Sequence, residues 1–243
     1  MSKLEDSVDA RARAQVRADE AAITGSRRRS TSLTDAANAF WRHPSPWMLA
    51  TLLVAASTVR VVTGDWRLSD LLTPVVMLAV FPFFEWMVHV CVLHWRPRRL
   101  GPVTIDPLLS RKHRAHHADP RDVPLVFIPW QVQLWLLPAT TAIAVLAFPR
   151  LGNGLTFLVF AATLGLGYEW MHYLIHSDYR PKTRLYRAIW RNHRLHHYKN
   201  EHYWFTVTTS GTADRVLRTH PNPETVRTSP TVRDLHSREA AAS

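Results

Sequence analysis

The chain has 243 residues, of which 47% are hydrophobic and 20% are charged, and its formal net charge is +11. This length suits one domain with tails and allows a sizeable core. A single cysteine, Cys91, excludes a disulfide framework and a multi-cysteine metal cluster, whereas fourteen histidines and ten tryptophans point to histidine chemistry and a membrane interface.

The two ends of the chain are polar. Residues 1–40 are rich in Ala, Arg, Ser and Asp and hold few large apolar side chains. Because they cannot bury enough surface to offset the entropy of ordering, we predict a disordered N-terminal tail. Residues 220–243, rich in Thr, Arg and Pro, are predicted to form a disordered C-terminal tail. Residues 41–219 are left as the folded domain.

Four long apolar runs lie between the tails: Trp47 to Thr63, Leu71 to Leu93, Pro124 to Phe148 and Leu155 to Ile175. A helix of about 20 residues crosses a hydrocarbon core of about 30 Å. Core helices of a soluble protein are the alternative, but they are usually shorter and keep a polar stripe, whereas residues 155–167 carry no charge. We predict four transmembrane helices, with Arg60 extending its charged end to the membrane surface.

The basic residues indicate the orientation. The loop from His94 to Asp122 carries seven Lys or Arg, and the stretch after the fourth run carries twelve, whereas the other two loops carry Arg67 and Arg150. By the positive-inside rule, both termini and the central loop are cytoplasmic, in the plasma membrane of a bacterium or the endoplasmic reticulum of a eukaryote. No recognition motif accompanies the basic charge, so a nucleic-acid partner is excluded.

Ten histidines follow the spaced patterns HX4H, HX2HH, HX3H and HX2HH. Residues three and four apart share a helix face, so each HX2HH triplet should present its imidazoles together, whereas a five-residue spacing should splay the first pair toward different metals. Imidazoles without thiolate suit iron, zinc or copper, and ten of them exceed the needs of one ion. We therefore predict two metal ions and the following ligands: His89, His94, His113, His116, His117, His172, His176, His193, His196 and His197.

The predicted topology brings these groups together. Each histidine pair lies at the cytoplasmic end of a span and each triplet follows it, which predicts an all-α integral membrane protein with a cytoplasmic helical cap around a di-metal site. The chain also repeats itself, with FEWM at 84–87 and YEWM at 168–171. Glu85 and Glu169 share a helix face with ligands. They are expected to accept a hydrogen bond from a ligand's N–H rather than to bind metal directly. Tyr168 and Glu169 are the candidate catalytic residues.

The order of these motifs on four apolar spans resembles the fatty acid hydroxylase superfamily of integral-membrane di-iron oxygenases. The stretch HHYKNEHYWF at 196–205, followed by DRVL at 214–217, is similar to that family's C-terminal signature, and the similarity covers about residues 70–219. The three-residue gap of HX3H is more similar to fatty acid 2-hydroxylases than to carotenoid hydroxylases. One departure is Arg218, which stands where relatives often carry glycine.

This resemblance implies an O2-dependent monooxygenase that hydroxylates a long-chain fatty acyl or related lipid. It implies two iron ions, which zinc can replace on purification, and a separate electron donor of the ferredoxin or cytochrome b5 type with its reductase. Two alternatives stay open: a sterol or carotenoid desaturase or hydroxylase of the same superfamily, and a non-catalytic membrane protein that binds or transports metal. His43, His220 and His236 are interpreted as structural residues, and His202 as a possible neighbour of the ligands.

Overall fold

The computed structural model describes residues 31–236, which form helices and one two-stranded hairpin. Predictions for residues 1–30 and 237–243 lie outside this range. The elements are α1 (Leu33–Phe40), α2 (Pro44–Thr63), α3 (Leu72–Val88), β1 (Arg98–Leu100), β2 (Val103–Ile105), α4 (Leu108–Ala118), α5 (Trp130–Leu146), α6 (Leu151–His176), α7 (Arg184–Tyr198) and α8 (Thr212–Val216). Short 3-10 turns precede α3 and α5, at Leu68–Leu71 and Val123–Leu125.

Four helical segments are long and apolar enough to cross a membrane: Pro44–Thr63, Leu68–Leu93, Val123–Leu146 and Leu151–His176. The prediction of four spans is confirmed, with bounds that differ by a few residues. The fourth segment is one unbroken helix of 26 residues, so its histidine pair lies on the last turns of the span itself.

Helix α6 is the central helix of the bundle and packs against α2, α3 and α5. Small and branched apolar side chains fill the space between α2, α5 and α6, among them Ala56, Ala144 and Leu158. The approach of α5 to α6 depends on Gly154, because a Cβ at this position would lie 1.7 Å from the carbonyl oxygen of Ala144. The sequence therefore permits a tight helical hairpin that a larger residue would force apart.

Ion pairs join the ends of the helices opposite the histidines. Arg60 is buried, and its guanidinium donates to Asp70 at 2.7 Å and to Thr156 Oγ1 at 3.0 Å. Arg150 joins the network by donating to Asp70 at 2.9 Å and to Asp65 at 2.8 Å. The charged end of Arg60, which was expected to extend to the membrane surface, is paired at this end of the bundle with the carboxylate of Asp70 and the hydroxyl of Thr156.

The other end of the bundle carries the cap, which consists of α4, α7, α8, the β1–β2 hairpin and the C-terminal segment (residues 220–236). The C-terminal segment differs from the predicted disordered tail. Its Val232 and Leu235 are buried, and Ser229 donates from its backbone to the carbonyl of Lys199 at 2.8 Å and from its hydroxyl to Glu201, also at 2.8 Å. The Thr- and Pro-rich composition does not predict these contacts, because the segment is ordered by the surface on which it lies.

Helix α1 begins inside the predicted N-terminal tail. Ser32 and Asp35 form a capping box at its start. Phe40 at its end packs against the rings of Phe127 and Tyr173, with centroids 5.6 and 5.7 Å away. This contact ties the start of the described chain to α6 and to the loop before α5.

Candidate metal centre

The ten histidines of the four motifs meet at the cap end of the bundle in two groups of five. Within each group, one ring nitrogen of every residue lies within 4.8 Å of the others. Two ligand atoms on opposite sides of one ion lie about 4.2 Å apart when each bond is about 2.1 Å, so each group is compact enough to hold one ion. Group one is His89, His94, His113, His117 and His196, and group two is His116, His172, His176, His193 and His197.

Both HX2HH triplets are divided between the groups. In each triplet the first and last histidines, four residues apart, join one group and the middle histidine joins the other. His116 of α4 thus belongs to group two, and His196 of α7 belongs to group one. The predicted shared face exists, but α4 and α7 meet there, with the rings of His117 and His197 4.3 Å apart, so each helix serves both groups.

The prediction that His89 and His94 serve different metals is wrong. Both belong to group one, with ring centroids 5.0 Å apart. Helix α3 ends in a π-helical turn, His89–Leu93, in which the backbone N–H of His94 donates to the carbonyl of His89 at 3.0 Å. This wider turn brings residues five apart onto one face, which ordinary helical spacing cannot do.

The chemistry of the donor set fits metal ions. Buried polar atoms normally have a partner, and an unpaired one is costly. Within residues 31–236, both ring nitrogens of His116 are buried without a hydrogen bond. Nε2 of His193 lies 3.0 Å from Nε2 of His197, and two ligands at right angles on one ion would lie about 3.0 Å apart with bonds of about 2.1 Å. An unpaired, buried Nε2 also occurs on His89, His94, His113, His117, His172 and His196.

Burial keeps the imidazoles of the cap neutral. It lowers the pKa of His196 to about 4, although the carbonyl of Tyr203 acts in the opposite direction. A neutral imidazole has a free lone pair for a metal, whereas an imidazolium has none. Burial likewise lowers the pKa well below its ordinary value at His113, His116, His117, His193 and His197.

Backbone carbonyls fix the orientation of four imidazoles. Each carbonyl pairs with Nδ1 of a ligand, which selects the tautomer that leaves Nε2 for the centre. The pairs are His89 with Phe205 (2.6 Å), His117 with Val232 (3.1 Å), His172 with Val126 (2.9 Å) and His196 with Tyr203 (2.8 Å).

The segment 203–208 after α7 supports two ligands of group one, since it provides the carbonyls of Tyr203 and Phe205. Asp214 of α8 holds this segment by accepting from the backbone N–H of Phe205 at 2.9 Å and of Thr206 at 3.0 Å. The two stretches on which the resemblance rests, at 196–205 and 214–217, therefore form one structural unit beside group one.

Arg218 closes this unit in a left-handed backbone conformation, with φ 60°. Glycine adopts this conformation at little cost, which explains why it suits the position. The corner is formed nonetheless: the backbone N–H of Thr219 donates to the carbonyl of Asp214 at 2.7 Å, and the carbonyl of Thr219 accepts from Trp204 at 2.9 Å. The departure from the expected glycine therefore leaves the fold of the corner intact.

The two candidate catalytic residues lie beside group two. Tyr168 is partly buried, and its ring centroid is 5.7 Å from that of His172. Glu169 is fully buried and accepts from Ser45 Oγ at 2.6 Å and from the backbone N–H of Ile128 at 3.0 Å, rather than from an imidazole as expected. Their catalytic roles stay predictions.

The remaining described histidines lie outside both groups. The side chain of His202 is 69% exposed, which places it on the surface. Three others have structural contacts: His43 stacks on Phe127 (4.2 Å), His220 pairs with Asn192 Nδ2 (3.1 Å), and His236 pairs with the carbonyl of His94 (3.0 Å).

Sequence reasoning missed the residues that support the ligands without metal-binding side chains. Val126, Phe205 and Val232 act through their carbonyls, which any residue type provides, so no side-chain motif marks them. Ser45 and Gln133 form a buried chain with Glu169, in which the Gln133 amide donates to Ser45 Oγ at 2.9 Å. In the sequence, the feature that could have pointed to this series of hydrogen bonds is a glutamine in an otherwise apolar span.

Comparisons with known proteins agree with this geometry. The family model described as "Fatty acid hydroxylase" matches residues 74–219. Among solved structures, the chain is similar to one described as full-length Scs7p with only the hydroxylase domain visible, with a TM-score of 0.62 and 19% identity over 76% of this chain and 68% of that one. This likeness shows a shared fold. No curated protein matches the chain at a significant level.

Proposed function

Because this chain belongs to the fatty acid hydroxylase family, we propose that it is an O2-dependent di-iron membrane oxygenase that hydroxylates a long-chain fatty acyl group or a related lipid. The observation that carries the proposal is the pair of five-histidine groups at the end of an apolar helix bundle. Ten imidazoles without thiolate ligands, nine of them buried, suit iron.

Iron bound in the two groups would supply the activation of O2 and the oxidation of a C–H bond. The protein's own part is to hold the ligands in one arrangement and to exclude bulk water. The structure meets both needs. His116, His193 and His197 are fully buried, and backbone carbonyls fix the rings of four ligands. Electrons then come from a separate donor of the ferredoxin or cytochrome b5 type.

The basic cap offers two exposed cations for the carboxylate or headgroup of an acyl substrate. Lys112 on α4 and Arg191 on α7 are exposed and lie one residue before His113 and two before His193. Arg114 is already paired, since its Nη2 donates to both carboxylate oxygens of Asp106, at 2.7 and 2.8 Å. The acyl chain itself would follow the apolar surfaces of the spans, which lead to the same end of the bundle.

We propose that the cap and both termini face the cytoplasm. Most Lys and Arg residues that follow the second and fourth spans lie at the histidine end. At the opposite end, Arg60 and Arg150 are paired with Asp65 and Asp70, which reduces the positive charge there. This distribution supports a cytoplasmic metal centre that a soluble electron donor can reach.

The test is conversion of labelled palmitate by membranes that contain the protein, with a ferredoxin or cytochrome b5 system, in the presence and absence of O2. We expect an O2-dependent hydroxylated product that is missing with His116→Ala. Product from a sterol or carotenoid instead would move the activity to another branch of the superfamily. No oxidised product from any of the three classes, together with O2-independent metal flux in proteoliposomes, would favour a metal transporter.

A further inference from the structure

The two halves of the chain use a buried glutamate in the same way. Glu85 lies in FEWM before the first histidine pair, and Glu169 lies in YEWM before the second. Both are buried in the bundle, yet within residues 31–236 neither carboxylate lies close enough to a histidine group to join its set of ligand atoms. Two carboxylates at equivalent positions beside a metal centre need another role.

Glu85 holds the segment that orients His89. Its carboxylate accepts from the backbone N–H of Val207, from the backbone N–H of Thr208 at 3.1 Å and from Thr208 Oγ1 at 2.7 Å. Two residues earlier, the carbonyl of Phe205 accepts from Nδ1 of His89 at 2.6 Å. Glu85 near the end of α3 and His89 just after it therefore both form hydrogen bonds with the segment 203–208.

Glu169 holds the segment that orients His172. Its carboxylate accepts from the backbone N–H of Ile128 at 3.0 Å. Two residues earlier, the carbonyl of Val126 accepts from Nδ1 of His172 at 2.9 Å. The Ser45 hydroxyl completes the set of donors at 2.6 Å. As at Glu85, the carboxylate accepts from a backbone N–H, and the carbonyl two residues earlier accepts from the histidine. Here the segment between them is a different part of the chain, residues 126–128.

We propose that Glu85 and Glu169 are positioning residues, one for each histidine group, that orient His89 and His172 through backbone segments rather than by touching metal or ligand. Each carboxylate fixes a peptide segment, the segment's carbonyl fixes Nδ1, and Nε2 is thereby aimed at its group. The inference rests on the proposed metal centre and assigns a role that it leaves open.

This arrangement predicts that the two glutamates support different histidine groups. Glu85 supports His89 of group one, and Glu169 supports His172 of group two. Loss of one carboxylate should therefore weaken one site and spare the other, whereas a general packing role would affect both together. Changes in residues that support a ligand typically lower metal affinity about 10–100-fold.

The experiment uses full-length protein in detergent, loaded anaerobically with Fe²⁺ or Co²⁺ and challenged with a graded chelator, with metal measured per chain. We expect wild type to keep two ions, one for each group. Glu85→Ala and Glu169→Ala should each keep one ion at chelator concentrations where wild type keeps both. Glu85→Gln and Glu169→Gln retain an accepting oxygen and should stay closer to wild type. Glu224→Ala, on an exposed residue, is the matched control.

Double variants identify which site is lost. Glu85→Ala with His94→Ala affects group one twice and should still keep one ion, whereas Glu85→Ala with His176→Ala affects both groups and should keep none. The Co²⁺ absorption spectrum provides a second readout of the surviving site. Wild-type retention in both alanine variants, or equal loss from both groups in each, would overturn the inference. Failure of wild type to bind metal would instead reject the metal centre itself.

Discussion

His113 and His116 are three residues apart on α4, yet their imidazoles belong to different groups, with ring centroids 5.9 Å apart. The face of one helix thus contributes to both groups. This relationship makes the grouping testable, because neighbours along the chain should behave as members of separate sites.

The first prediction concerns pairs of histidine substitutions. His116→Ala with His172→Ala removes two ligands of group two and should cost one ion per chain. His116→Ala with His113→Ala removes one ligand from each group and should cost both. Metal content after a chelator challenge distinguishes these outcomes. Equal loss in the two double variants would contradict the division of the triplets.

The second prediction concerns activity. His→Ala at any of the ten positions should abolish product formation, because the ion is left with an open or water-filled position. The spans should still insert, since insertion depends on their hydropathy. The measurement is product yield normalised to protein in the membrane fraction. His202→Ala is the control and should keep near-normal yield, because its side chain lies on the surface. Most of the activity surviving in His196→Ala would argue against ligation.

The third prediction compares two carboxylates at the opposite end of the bundle. Asp70→Asn should lower the midpoint of thermal unfolding in detergent by several degrees, because it leaves the buried Arg60 without a carboxylate partner. Asp65→Asn should change the midpoint little, since its side chain is 46% exposed and such pairs contribute little. A larger effect at Asp65 would show that burial does not decide the strength of these pairs.

The fourth prediction compares two glycines on α6. Gly154→Ala should destabilise the protein, because the new methyl group would lie 1.7 Å from the carbonyl oxygen of Ala144 and must push α5 away. Gly167→Ala meets nothing within 4 Å and should be neutral or stabilising by up to about 1 kcal/mol through helix propensity. Thermal unfolding of both variants checks the pair. Equal stability of the two variants would contradict the close packing of α5 against α6 at Gly154.

The parts of the fold that depend on periodicity were accessible from the sequence. Four apolar runs predicted four spans, and the topology of those spans predicted that the histidine motifs meet at one end of the bundle. The assignment of ligands to groups was not accessible in the same way. It depends on a π-helical turn between His89 and Leu93 and on how α4 faces α7, and neither follows from a pattern of 3.6 residues per turn.

The supporting contacts were the least predictable part of the site. Composition indicated a disordered tail where Val232 in fact supplies a carbonyl to His117. Glu169 was visible as an ionisable residue in a span, but its partner Ile128 acts through a backbone N–H. Contacts made by the backbone leave no mark on residue type, so sequence can suggest that a buried charge matters without showing what it holds.

The carbonyl that orients His117 belongs to a residue 115 positions further along the chain. A ribosome delivers the chain from its N-terminus, so all four spans have been synthesised before Val232 exists. The full set of contacts around group one can therefore form only after all four spans have been synthesised. A chain arrested before Val232 would contain all four spans but lack the carbonyl that orients His117.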